Sequence, residues 1–275
     1  MTQKNIDFYD DTDRLTQIGA WGIGIYNAIW RGLGFIGAIF ASLYRFIRGR
    51  AELRRSDWWR AIDDVGPRAI LIVSLISFLI GLILAFVGAA QLKLFGAQIY
   101  VASLVAIASI RIMGAMMTGI IMAGRTGASY AATIGTMQTN EELDALQVMG
   151  INKYDFLVLQ RFIALTISMP ILTLIADFMA ILGGMFVGVV VFHIPFPEYL
   201  SYTRQAIDFQ NFAVGIFHGI VYGMIIALCG CYYGIYSGRN ANAVGVATTR
   251  AVVSAIIWMV IATGIITFVF EVLGI

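Results

Sequence analysis

The sequence predicts an all-α integral membrane protein, and three observations carry that prediction. Hydrophobic residues make up 60% of the 275-residue chain and charged residues only 12%, where soluble domains carry about 25%. Five stretches are long enough to cross a hydrocarbon core, which takes about 20 apolar residues. The basic residues gather on one side of those stretches. A formal net charge of +2 gives no footing for a nucleic-acid partner.

The spans come in this order. Residues 69–92 carry no charge, and residues 94–124 carry only Arg111. Residues 162–192 carry only Asp177 and are interrupted by Pro170, a kink site because proline has no N–H for the helix ladder. Residues 209–238 contain His218, counted as neutral, and residues 251–270 carry no charge. The longer runs exceed a straight crossing, so tilt or bending is expected. Residues 15–44 hold one charge, Arg31, with six glycines and six aromatic residues. Composition reads them equally as a sixth span or as a helix lying in the membrane interface.

Loop charge sets the orientation. Arg45, Arg48, Arg50, Arg54, Arg55, Arg60 and Arg68 precede the first span. Arg125, Lys153 and Arg161 lie between the second and third, and Arg239 and Arg250 between the fourth and fifth. The opposite side has Lys93 and Arg204. The positive-inside rule puts the larger group in the cytoplasm and the C-terminus outside, in the periplasm of a bacterium. The polar, acidic start MTQKNIDFYDDTDR lacks the basic region and apolar core of a signal peptide. The sequence shows no repeat or linker, so it reads as one domain, with residues 69–275 carrying the five spans after an N-terminal segment, 1–68. Cys229 and Cys231 fall inside an apolar run and read as buried thiols. No metal set is visible.

Three connections remain. Residues 93–98 form a tight outer turn. Residues 193–208 form a short outer segment whose two prolines argue against continuous helix. Residues 125–160 form the one sizeable cytoplasmic loop. Within it, Thr139 and Glu142 have capping-box spacing, Glu141, Glu142 and Asp144 crowd the first turn where negative charge suits the helix dipole, and Leu143, Leu146 and Met149 share a face. Gly150 stands where the helix should stop. The expectation is a short amphipathic helix over 139–150, covered either by this protein's own spans or by a cytoplasmic partner.

That loop carries a family resemblance. Gly124-Arg125-Thr126-Gly127-Ala128, then Gly135-Thr136-Met137, Glu141-Glu142-Leu143-Asp144-Ala145-Leu146 and Met149-Gly150 resemble the signature of the MlaE (YrbE) permeases. Ala247-Thr248-Thr249-Arg250-Ala251-Val252-Val253 is similar to the family's segment before its last span. The resemblance implies the membrane subunit of an ABC transporter moving phospholipid or related lipid between inner and outer membrane, and so serving outer-membrane lipid asymmetry. It implies a homodimer or a heterodimer of permeases, a periplasmic Mce-type (MlaD-like) partner, and a cytoplasmic ABC ATPase that supplies the ATP and magnesium. It also implies an N-terminal interfacial helix followed by five transmembrane helices, with 139–150 as the cytoplasmic coupling helix. Ile112 and Thr133 stand where the family commonly has acids, and His218 where many members have lysine.

No phosphate loop of the G-x-x-x-x-G-K-[ST] type occurs in this chain, so it reads as no enzyme, with no catalytic residue and no cofactor of its own. The residues expected to meet the ATPase are Thr139, Glu141, Glu142, Leu143, Asp144, Leu146, Met149 and Gly150. The residues expected to meet lipid are Arg111, Met113, Met116, Met117 and His218. Ionisable groups inside a membrane are costly and therefore functional candidates. Arg111 reads as lying mid-span, either drawing an anionic headgroup or pairing internally with Asp177, while Asp177 can equally bond backbone freed by Pro170. The methionines form either ordinary packing or an adaptable acyl-chain wall, and His218 reads first as a neutral, hydrogen-bonded histidine between helices. Two rival readings are an ion-coupled secondary transporter, which needs more midplane ionisable groups than these spans offer, and a membrane scaffold without an ATPase.

Overall fold

The structure is a computed structural model that describes residues 10–49 and 55–274. Two of the twelve expected cytoplasmic cations, Arg50 and Arg54, and residues 1–9 of the acidic tail lie outside the described residues. The chain divides into two compact units between Arg50 and Ala51. The first is one helix, α1 (Asp10–Ile47), 38 residues long, with Tyr26, Trp30, Phe40 and Tyr44 exposed.

The second unit holds five helical stretches long and apolar enough to cross a membrane: Trp58–Lys93, Gln98–Thr139, Tyr154–Val191, Phe209–Ile235 and Ala241–Val272. Among the described residues there is no strand. The first stretch is α2 (Arg55–Val65) joined at Gly66 to α3 (Pro67–Lys93). Pro67 fits at the helix start, where its missing N–H costs no bond. The second combines α4 (Val101–Ala108), α5 (Gly114–Met122) and α6 (Ala128–Thr139) across two wider π turns, Ser109–Met113 and Ala123–Gly127. After a seven-residue helix, α7 (Glu142–Val148), the third stretch opens with a π turn at Tyr154–Val158 and becomes α8 (Leu159–Phe186), which continues through Pro170. A short helix, α9 (Phe196–Ala206), leads to α10 (Phe209–Ile235) and α11 (Ala241–Val272). Asp208 caps α10 by accepting from the Phe209 N–H at 2.7 Å, and Asn240 caps α11 by accepting from the Ala243 N–H at 2.7 Å, each satisfying a donor the helix start leaves open.

Two sequence expectations are corrected here. The large loop over 125–160 is mostly helix. Residues 128–139 extend the second span because Tyr130, Ala131, Ile134 and Gly135 are buried in the contact of α6 with α10 and α11. The outer segment 193–208 is also helical over 11 residues. Its prolines sit at the helix start, Pro195 as cap and Pro197 in the first turn, where proline does no harm.

Helix α8 is the hub, packed on α3, α10, α5 and α2. Glycine makes that possible. A methyl added to Gly81 of α3 would overlap the Ala180 carbonyl of α8, and one added to Gly183 of α8 would overlap the Phe78 carbonyl of α3. The two backbones therefore touch directly, the small-residue contact that joins helices where water supplies no driving force. The same occurs between Gly215 of α10 and the Ile110 carbonyl. Gly184 and Gly188 instead leave a seat for Tyr199, which is buried at 1% exposure and holds α9 over the ends of α3, α4 and α8.

Replacing Gly183 by Val should cost about 1–3 kcal/mol or more through overpacking and lower the unfolding temperature in detergent clearly. Gly264→Ala, where nothing lies within 4 Å of the added carbon, should stay within about 0.5 kcal/mol of wild type. Equal shifts for the two variants would disprove the backbone contact.

Candidate functional site

The predicted site residues fall in two regions. The first surrounds Arg111, which lies in the π turn Ser109–Met113. A π turn holds one residue more than the α-helix, rotating the next stretch of helix by about 100°, and such turns recur at functional sites. The Arg111 Nη1 donates to the Asn211 Oδ1 at 2.7 Å, and its Nη2 lies 3.9 Å from the Glu271 Oε2. Asn211 is the third residue of α10 and Glu271 the penultimate residue of α11. Arg111 thus sits near the ends of two other helices, not at mid-span as the sequence implied. The second span is 42 residues long, roughly 63 Å at 1.5 Å per residue, so the middle of its apolar run is not the middle of the bundle.

Of the two roles the sequence left open for Arg111, the internal pairing with Asp177 does not form: Arg111 turns to α10 and α11. Nor does Asp177 serve the backbone around Pro170. Its Oδ1 is buried without a hydrogen-bond partner among the described residues and rests against Gly114, where an added methyl would collide with it. Met113 and Met117 line a crevice of about 10 Å³ with Ser77, Ser109 and Ala180. Room for about one water at most holds no acyl chain, so within one chain these methionines fill the gap between α3, α5 and α8. Met116 is half-buried outside that crevice. His218 is fully buried. Its Nδ1–H donates to the Val214 carbonyl at 2.8 Å, and its ring meets Tyr222 edge-on at 5.7 Å between centroids.

The second place is α7. The predicted capping box is absent. Thr139 closes α6, its Oγ1 donating to the Gly135 carbonyl at 3.0 Å, and Glu141 takes the left-handed φ of 60° between the helices. Continuation of the preceding helix has won over the local cap, so the helix covers 142–148, shorter than the 139–150 expected. Its end is as the sequence reads. Gly150, at φ 76°, lets its own N–H reach the Gln147 carbonyl at 3.1 Å and the Ile151 N–H reach the Leu146 carbonyl at 3.0 Å, a Schellman closure.

The apolar stripe of α7 divides. Leu143 is buried at 2% exposure and Leu146 half-buried, while Val148 and Met149 stand 89% and 64% exposed. Arg239, from the α10–α11 connection, donates to the Asp144 Oδ2 at 2.7 Å and lies 3.7 Å from the Glu141 Oε1. Surface ion pairs of this kind contribute about 0–1 kcal/mol each, so their effect is to orient α7 more than to stabilise it. Glu142 is exposed and accepts from the Asn140 Nδ2 at 3.2 Å. Sequence reading missed Val148, Arg239, Asn211 and Glu271 as site residues. The last three meet their partners across 95, 100 and more residues of chain, and no local pattern signals such contacts.

Comparison with known proteins then decides the family. The family description Permease MlaE matches residues 58–269. The chain belongs to the MlaE permease family. A probable ABC transporter permease protein of Rickettsia typhi is 36% identical over 76% of this chain and 80% of its own length. A namesake from Synechocystis is 28% identical over 76% of this chain and 79% of its own. A chloroplast protein of Arabidopsis thaliana named trigalactosyldiacylglycerol 1 is 26% identical over 88% of this chain and 69% of its own. This MlaE-family chain is a permease subunit and not an enzyme, and an ABC permease works with a partner ATPase.

Gly114→Ala should lower the unfolding temperature of the wild type but have far less effect in an Asp177→Ala background, where the colliding oxygen is gone. A double-mutant cycle should show coupling on the order of 1 kcal/mol. Identical losses in both backgrounds would show that Asp177 does not seat on Gly114.

Proposed function

We propose that this permease is the membrane subunit of an ABC transporter that moves phospholipid or a related lipid between inner and outer membrane, with its ATPase docking on α7. The observation that carries the docking is the exposure of Val148 and Met149 on a helix whose other side is fastened by Leu143 and Arg239. An apolar tip held firmly at the end of the spans transmits motion; a loosely tethered one would not. Glu142 stands exposed beside it as a polar rim. ATP and magnesium are bound and consumed by the partner, and closure of two ATPase subunits would press α7 against α6 and hence against α10 and α11, the helices α6 packs on.

Lipid as cargo is supported by the glycerolipid name of the chloroplast relative and by Arg111, whose guanidinium suits a phosphate group. A headgroup arriving at Arg111 would compete with Asn211 and Glu271 for the guanidinium. Helices α3 and α11 leave most of their apolar stretches uncovered, with 22% and 11% buried. That surface suits lipid on one side and a second permease, identical or related, on another, with Arg111 and the half-buried Met116 then bordering the shared cavity. In this reading the chain sits in a bacterial inner membrane with α1 as an interfacial helix and its C-terminus in the periplasm, where a Mce-type protein receives the cargo.

A mild-detergent pull-down with reconstituted lipid transfer tests both parts. Val148→Asp with Met149→Asp should cut ATPase recovery about tenfold, equivalent to ~1.4 kcal/mol. Arg111→Met should keep the ATPase but slow lipid transfer. Full ATPase recovery with the double variant removes α7 as the docking site, and wild-type transfer by a normally folded Arg111→Met removes the headgroup contact. A chain that never captures an ATPase under crosslinking returns the question to the scaffold and ion-coupled readings.

A further inference from the structure

A second arginine cluster lies at the other end of the spans from Arg111. A cavity of about 430 Å³ opens between α2, α6 and α8 and is lined by Arg60, Arg125 and Arg161, with Asp64, Tyr130 and Thr133. The single lining carboxylate is already engaged, since the Asp64 Oδ1 meets the Arg68 Nη1 at 2.5 Å. The arginines are engaged only in part. Arg125 donates one N–H to the Asp64 backbone carbonyl at 3.1 Å, and Arg161 donates one to the Leu157 carbonyl at 2.8 Å while its guanidinium lies 5.6 Å from the Tyr130 ring centre. Each guanidinium has five N–H donors. Arg60 makes no ion pair among the described residues. The Tyr130 hydroxyl is buried in the cavity wall with no hydrogen-bond partner among the described residues, an arrangement that leaves a polar group unsatisfied unless something reaches it.

We infer that this cavity binds a phosphate-bearing anion. Arginines supply paired donors that match phosphate geometry, and the Tyr130 hydroxyl supplies a further donor. The volume is within the range of ligand clefts, about 300–1,000 Å³, and leaves room for an organic group beside the phosphate. The setting favours a lipid headgroup. Trp58 and Trp59 immediately precede Arg60 on α2, their rings tilted to one another with centres 5.3 Å apart, and tryptophan concentrates at the depth of lipid headgroups. Arg125 lies 14 residues beyond Arg111 in one span, ~21 Å at 1.5 Å per residue, so this is a separate site. It depends on neither the ATPase nor the Arg111 contact.

Native mass spectrometry of the full chain in nonionic detergent tests it, in an Arg111→Met background so that any headgroup contact there contributes nothing. Dioleoyl phosphatidylglycerol should be retained well above dioleoylglycerol. Arg60→Gln should reduce that retention several-fold, and Thr133→Glu, which places a carboxylate in the cavity, should reduce it at least as much. Both positions are exposed, so unfolding temperatures should match the parent. Inorganic phosphate that binds with the same dependence on Arg60 and Thr133, while phosphatidylglycerol does not, would keep the phosphate site and assign it to a soluble ligand. Retention unchanged in both variants, or equal for dioleoylglycerol, would overturn the inference.

Discussion

Direct contact between helix backbones is the constraint on which the rest of this structure depends. Apolar side chains gain nothing by leaving lipid for protein, so helices in a membrane hold together where they come close enough for dispersion forces to count. Here Gly81 and Gly183 bring α3 onto α8, Gly215 brings α10 onto the second span, and Gly184 and Gly188 make the socket for Tyr199. With α8 fixed at the centre, the polar groups that sequence scattered over five spans acquire defined neighbours. Asp177 shows the cost of such packing: its Oδ1 lies against a glycine and has no donor among the described residues.

The π turns act on that frame. Arg111 and Arg125 each lie in one, and Arg161 comes shortly after a third. Each turn changes the face on which the next residues emerge, while the helix as a whole stays bonded, as a segment in lipid must. The result is a basic group toward each end of the second span, one facing α10 and α11, the other facing α2 and α8. Thr133 stands where the sequence pattern of the family leads one to expect an acid. It lines the second of these places, so its identity removes a negative charge from a cavity with three arginines.

Helix α7 is fastened to the end of the bundle at several points. Its attachment is chemically mixed: Leu143 anchors it by burial, Arg239 aims it by charge, and Gly150 ends it. In the proposed transporter, rigid attachment matters more than strength, because coupling between an ATP site in one chain and a lipid site in another requires an element whose position both can bias. The same logic makes α6 the path for that bias, being continuous with the span that carries Arg111 and packed on α10 and α11.

By itself the sequence determined the class of the protein, the five apolar spans that follow residue 68 and the helix stop at Gly150. Those depend on transfer of apolar side chains from water and on backbone conformations only glycine tolerates, both of which are local. It also carried the family signature over 124–150. It could not settle where the second span ends, because packing on α10 and α11 drew residues 128–139 into helix against the capping signal at Thr139. It misjudged 193–208 because proline breaks a helix interior but not a helix start. It read Arg111 as lying near the middle of its apolar run and left a headgroup or Asp177 as its partner, since the neighbours of a side chain in a bundle depend on the relative stagger of helices about 100 or more residues apart. That stagger, which gives Arg111 to Asn211 and gathers Arg60, Arg125 and Arg161 around one cavity, is set where glycines let backbones meet, and only the tertiary structure decides it.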